Sequence, residues 1–298
     1  MITPQTKLKI TGIGILSRFH IMHYRNKDVG IEIRGILEKD RPVDLKTGIE
    51  ITPNLKIRFA NKEDSDILAP FNPSLNSIIH CSLNQYVLES TFEVEDNPET
   101  SAETQRHIMH IINSTVQALR LFKTGYVDAN TILWISERNM DKQTSLFSEQ
   151  HSSNSLSEYS LATHETTELS KLVAKTLKID LEKRKSLRIA LDRFNRAYYE
   201  QENEDKLIDY IIAFEALFSS GQRRSQHAVI PVACAMLLGK SEKERNEITS
   251  LLDLAYKTRN HIVHGSDCHE ILKNSDYELE ELVTDVEDAL RASLRKLV

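Results

Sequence analysis

The sequence has little of what commits a chain to several common classes. Its three cysteines, Cys81, Cys234 and Cys268, are far apart and odd in number. No CxxC pair occurs, so neither a disulfide framework nor a cysteine-based zinc site is expected, and a reducing, cytoplasmic setting fits. The opening MITPQTKLKITG lacks the basic segment and apolar run of a signal peptide. The longest apolar run, AVIPVACAMLLG at 228–239, is too short to span a bilayer. It reads as a buried core helix, and no membrane partner is expected. Formal net charge is −6, so no global basic field announces nucleic acid, and contact with a polyanion must come from a local patch. Nothing repeats along the chain. His20 with His23, and His107 with His110, stand at i,i+3. No Asp, Glu or Cys stands at clear ligand spacing beside the second pair, so packing is the reading and no metal or cofactor is expected.

What is present is an ordinary globular composition, 40% hydrophobic and 28% charged over 298 residues. That length suggests one large domain or two smaller ones. The first hundred residues read mostly as strands. VGIEIRGIL places Val29, Ile31, Ile33 and Leu37 at period two, LKIRF does the same with Leu55, Ile57 and Phe59, and QYVLESTFEVE is rich in β-formers. NPE at 97–99 breaks the pattern. A helix follows, with Thr100 and Glu103 at capping-box spacing, Ile108, Ile111, Ile112, Leu119 and Phe122 at helical period, and Gly125 as a terminator. TILWIS, 131–136, reads as one more strand. Residues 137–163 turn polar and serine-rich without sustained period, which predicts a long loop or linker. The division expected is a strand-rich α+β domain over 1–140, of sensing or substrate-recruiting kind, a polar linker over 141–164, and an all-α bundle over 165–298.

The helical part opens with a segment from about Glu165 to Leu177. Leu187, Ala190, Leu191, Phe194 and Ala197 then form one amphipathic stripe. A second helix starts after Asn203, with Leu207, Ile208, Ile211, Ile212 and Phe218 on its apolar side. A third covers Gln226 to Leu238, with Pro231 early in it, where a missing N–H does least harm. Ser241 and Glu244 form a capping box for a fourth helix carrying Ile248, Leu251, Leu252 and Ala255. The last runs from about Asp276 through Leu279, Leu282, Val283, Val286, Leu290, Leu294 and Leu297.

The fourth helix ends in YKTRNHIVHGSD, 256–267, where an arginine, an asparagine and two histidines crowd into six positions. The stripe 248, 252, 255 continues to Arg259, which therefore falls toward the core. On the second helix the stripe 208, 211, 212 continues to Glu215. A buried unpaired carboxylate costs several kcal/mol or neutralises itself. Pairing of Glu215 with Arg259 is the economical expectation; the alternative is a rotation that brings either residue to the surface.

Asn260 and His264 are i and i+4 and share a face, while Arg259 and His264 are about 140° apart, a gap a long arginine can bridge. Together they offer a donor fork for phosphate, an orienting amide and a group titrating near neutrality. Such a set can cleave RNA without metal. A base deprotonates the ribose 2′-OH, which attacks the adjacent phosphate. A cation stabilises the developing charge, and an acid protonates the leaving oxygen. One histidine does not easily serve both proton transfers, and a symmetric dimer supplies two. Spacing alone also fits a plain helix end, where cations favour the dipole.

YKTRNHIVHG resembles the R-x4-6-H signature of HEPN domains, including the polar residue that often follows the arginine. LRIALDRFNRAYYEQENEDKLIDYIIAFEALF, 187–218, resembles the first two helices of the Apea-like HEPN group, in which an acidic residue sits in an E-A-L-F-like ending. The resemblance covers about residues 186–298. ALRLFKTGYVDANTILW, 118–134, is similar to the region upstream of such domains in prokaryotic standalone members. The resemblance implies a four-helix-type bundle, usually dimeric, and for many members metal-independent endoribonuclease activity in anti-phage defence or toxin–antitoxin systems. It implies RNA as substrate and a homodimer through the bundle, with any antitoxin or trigger partner unspecified. By motif position, Arg259 would bind or polarise the scissile phosphate, His264 would be the acid or base, Asn260 the accessory polar residue, and Glu215 would orient Arg259. His261 either lines the site or is solvated. Cys268 and His269 carry no assignment, and Arg223 and Arg224 read as a solvated loop or an RNA-backbone patch. The family also includes binding and dimerisation modules, so a non-catalytic module binding nucleotide, RNA or protein is the other reading.

Overall fold

A computed structural model describes residues 7–17, 19–22, 49–68, 86–138, 141–148, 159–219, 226–273 and 275–298. The chain divides into two compact units. One comprises 1–119, 125–151 and 156–178; the other comprises 120–124, 152–155 and 179–298. The strand reading over 29–37 and the loop with Arg223 and Arg224 lie outside the described residues.

The first unit is built on a six-stranded antiparallel sheet. Its strands are β1 (Lys7–Ser17), β3 (Ile49–Thr52), β4 (Leu55–Phe59), β5 (Tyr86–Glu95), β6 (Asp128–Arg138) and β7 (Asp141–Ser148), in the order β3-β4-β5-β1-β6-β7. A parallel pair, β2 (Phe19–Met22) with β8 (Tyr159–Ala162), forms a second small sheet. β1 is central, in register with β5 at Lys7–Glu95 and with β6 at Lys9–Glu137. Its alternation sends Ile13 and Ile15 into a cluster with Val87 and Leu133. On the opposite face Gly12 and Gly14 let helix α2 (Pro98–Phe122) approach closely. A Cβ on Gly12 would lie 2.5 Å from Ile108 Cγ2, and one on Gly14 would lie 3.1 Å from Ile112 Cγ2. Helix α1 (Lys62–Leu68) follows β4 and supplies Asp64, whose carboxylate receives two bonds from buried Arg58, at 2.6 and 2.8 Å. Arg58 also donates to Glu89 at 2.5 Å, so each of its three guanidinium nitrogens is engaged.

The structure moves two expectations about this unit. Helix α2 begins earlier than the Thr100–Glu103 box. Asn97 Oδ1 accepts the Thr100 N–H at 2.7 Å and Pro98 occupies the first helical position. The stretch set apart as a linker, 141–164, contributes strands. Asp141–Ser148 pairs with β6 from Arg138–Asp141 to Thr131–Ser148, and Tyr159 is buried with its hydroxyl on the Leu119 carbonyl at 2.8 Å. Backbone pairing rather than apolar period holds β7, whose side chains are mostly exposed. Helix α3 (Thr166–Lys178) also belongs to this unit, not to the helical one. Its stripe of Leu169, Leu172 and Val173 is buried, and Ser170 donates to the Ile51 carbonyl of β3.

The second unit is helical: α4 (Lys185–Ala197), α5 (Asn203–Phe218), α6 (Gln226–Leu238), α7 (Glu242–Val263), the short α8 (His269–Leu272) and α9 (Leu279–Leu297). All five predicted stripe residues of α4 are buried. On α9, Leu282, Val283, Val286, Leu290 and Leu294 are buried, together with Arg291. Arg291 donates to the Arg120 carbonyl at 2.9 Å and pairs with Glu287 and Asp288. Burial, with Glu287 beside it, pushes the neighbouring Tyr198 hydroxyl up to about 12. A strand-containing unit followed by a helical one is therefore the architecture. Among the described residues, no helix is long and apolar enough to cross a membrane.

Candidate functional site

Helix α7 carries the motif, and both its ends are fixed by local chemistry. At the start, Ser241 Oγ accepts the Glu244 N–H at 3.2 Å. The Glu244 carboxylate returns to the Lys240 N–H at 2.6 Å, one residue outside the reciprocal position of a standard box. At the other end Gly265 has φ +73. The Ser266 N–H bonds the His261 carbonyl at 2.9 Å and the Gly265 N–H bonds the Ile262 carbonyl at 3.0 Å. This paired closure is a Schellman motif, with His264 as C-cap.

The core face of α7 is Leu252, Ala255, Tyr256 and Thr258. Arg259 lies at its edge, half-buried. Its Nη2 is 3.9 Å from Glu215 Oε1, so the two side chains singled out by helical phase do face each other. They meet at the flank of the unit rather than deep in it. The reason is the phase of α5, which buries Leu207, Asp209, Tyr210, Ile211, Ala213 and Phe214 and leaves Ile208, Ile212, Glu215 and Phe218 partly exposed. That helix is apolar on most sides, so its apolar residues alone do not fix its rotation. Polar partners do: Asp209 receives a bond from Arg193 at 2.8 Å and lies 3.4 Å from Arg196, both on α4.

Arg259 Nη1 also donates to Asn260 Oδ1 at 3.2 Å, so Asn260 holds the guanidinium from the solvent side. Arg259 Nε is buried with no partner among the described residues. His261 is half-buried, and its Nδ1 is likewise without a partner. His264 is exposed; its backbone N–H bonds the Asn260 carbonyl at 3.1 Å, and its ring has no hydrogen-bond partner among the described residues. The structure thus brings Glu215, Arg259 and Asn260 into one chain of contacts, and sets His264 one turn further on, free in solvent.

Sequence reasoning missed Tyr256. It is buried, three residues before Arg259 on the same face, and its hydroxyl has no hydrogen-bond partner among the described residues. Burial, reinforced by the Glu215 carboxylate and opposed by Arg259, raises its pKa above the usual tyrosine value. The i,i+3 spacing of Tyr256 and Arg259 was the available signal. The three orphan donors or acceptors, on Tyr256, Arg259 and His261, leave this helix end with unspent hydrogen-bonding capacity. Chemically, the group offers a half-neutralised guanidinium, an amide and an accessible imidazole, which suits an anionic ligand. Comparison with protein-family models, with curated proteins and with solved structures gives no match.

Proposed function

We propose that the helical unit is an Apea-like HEPN domain and that the chain is a metal-independent endoribonuclease. Arg259 engages the scissile phosphate, Glu215 orients it, Asn260 steadies the fork, and His264 moves the proton to or from the ribose 2′-OH or the leaving oxygen. The observation that carries this reading is the Glu215–Arg259 approach of 3.9 Å beside an exposed His264. A structural ion pair has no need of an open histidine one turn away.

A second copy completes the chemistry, because a single imidazole per protomer leaves one proton transfer unassisted. Helix α6 offers a face for it: Val229, Val232 and Met236 are 48%, 52% and 61% exposed at helical spacing. The setting that goes with this reading is a cytoplasmic prokaryotic anti-phage defence or toxin–antitoxin system, with the first unit as sensor or recruiter. The free His264 ring also favours a second reading, a HEPN module that binds nucleotide, RNA or a protein partner without cleaving.

The test is RNA cleavage by the wild type, His264→Ala and Arg259→Ala in EDTA. Cleavage by the wild type that is lost in both variants is expected. Equal cleavage by all three, or RNA binding without cleavage by any, sinks the enzyme reading.

A further inference from the structure

Immediately after the Schellman turn the chain reads Asp267-Cys268-His269, and the donor atoms of all three lie within 4.8 Å of one another. The Cys268 sulfur is buried and 3.9 Å from His269 Nδ1. His269 Nδ1 is 2.8 Å from Asp267 Oδ1, which also accepts the His269 backbone N–H at 2.9 Å, so the loop itself holds carboxylate and imidazole together. A carboxylate from far away in sequence lies beside the thiol but outside this group of three. Glu204 Oε1, in the first turn of α5, is 3.6 Å from the Cys268 sulfur. Among the described residues, no lysine or arginine forms an ion pair with Glu204 or Asp267. A carboxylate, a thiol and an imidazole thus converge, with a second carboxylate at the thiol and Lys273 acting on Asp267 by charge alone.

We propose that Asp267, Cys268 and His269 form a divalent-metal site of the zinc type in the loop after α7, with the Glu204 carboxylate of α5 beside the thiolate. A tetrahedral zinc ion has ligand bonds of about 2.0–2.3 Å and so ligand-to-ligand edges of roughly 3.3–3.7 Å. The Asp267–His269 and Cys268–His269 spacings of 2.8 and 3.9 Å approach these within roughly half an ångström. A thiolate with an imidazole selects zinc over magnesium or calcium, whose ligands are oxygens. On binding, the Cys268 thiol gives its proton to solvent. His269 keeps one ring proton but carries it on Nε2, leaving Nδ1 for the ion. The site is outside the motif and does not depend on RNA cleavage. It also does not follow the CxxC logic by which zinc sites are usually read from sequence.

The test uses the full chain, stripped of metal and titrated with cobalt(II). A saturable thiolate-to-cobalt absorption band is expected, displaced by zinc, at one ion per chain. Cys268→Ser abolishes the band, Glu204→Gln and His269→Ala weaken binding roughly tenfold or more, and Cys234→Ser leaves it unchanged. Because His269 is exposed, its variant folds even if Cys268→Ser does not, and zinc then raises the thermal midpoint of the wild type but not of His269→Ala. Absence of a band, a band that persists in folded Cys268→Ser, or equal zinc stabilisation of wild type and His269→Ala overturns the proposal.

Discussion

Removing the charge of Glu215 or of Arg259 tests whether their approach is an interaction or a coincidence of packing. At 3.9 Å, unit charges near a protein surface attract by about 4 kcal/mol before solvation is counted. Much of that is offset. The side chains are 24% and 27% exposed, so each keeps part of its water, and no hydrogen bond joins them. The net coupling expected is therefore about 1 kcal/mol, the upper end for pairs that solvent reaches. A double-mutant cycle with Glu215→Gln and Arg259→Met, read by urea midpoints at constant m, isolates it. The coupling should shrink by more than half in about 1 M salt, where the screening length falls to about 3 Å. A coupling within about 0.3 kcal/mol of zero, or one indifferent to salt, refutes the pairing.

Two glycines make contrasting forecasts. Gly265→Ala should cost about 1–2 kcal/mol, because φ +73 strains an L-residue while its Cβ meets nothing within 4 Å. Gly12→Ala should cost roughly 1–3 kcal/mol through overpacking against Ile108 and Trp134, and it should cost less in an Ile108→Ala background, which removes the Cγ2 methyl that the new Cβ meets. Equal relief of both glycine variants in the Ile108→Ala background, in thermal melts, would contradict the assignment. Burial alone would raise the Glu89 carboxyl, but hydrogen bonds and charge from Lys56 and Arg58 outweigh it and hold it below the ordinary 4.5. A depressed carboxyl contributes stability that is full above its unfolded pKa and is lost as pH falls through its folded one. The first unit should therefore weaken below about pH 4.5, and Glu89→Gln should flatten that dependence in pH-resolved melts.

The parts legible in sequence were those where one physical demand dominates. The α4 stripe is read without error because five apolar residues on one face leave a single way to bury them. Helix α6 was bounded by the ends of its own apolar run. The Glu215–Arg259 approach was found although the reasoning for it was half wrong. The phase of α5 is turned so that Asp209, not Glu215, is the deeply buried acid, and its partners Arg193 and Arg196 sit on another helix, which no periodicity reports. Strand β7 was invisible for a related reason. DKQTSLFS is mostly polar, with only Leu146 packed against the core cluster, and the backbone hydrogen bonds to β6 that hold it leave no apolar period. Tyr256 and the Glu204–Cys268 approach depend on the third dimension in the same way.

The closure of α7 by the backbone of Gly265 and Ser266 separates two jobs that often fall to one residue. The carbonyls of Asn260, His261 and Ile262 already have backbone partners, so the imidazole at position 264 is not a fastener. The fold can spend that side chain freely. Exchanging it for alanine silences whatever chemistry it performs while the helix still stops at the same place, so a lost activity in that variant can be read as lost chemistry.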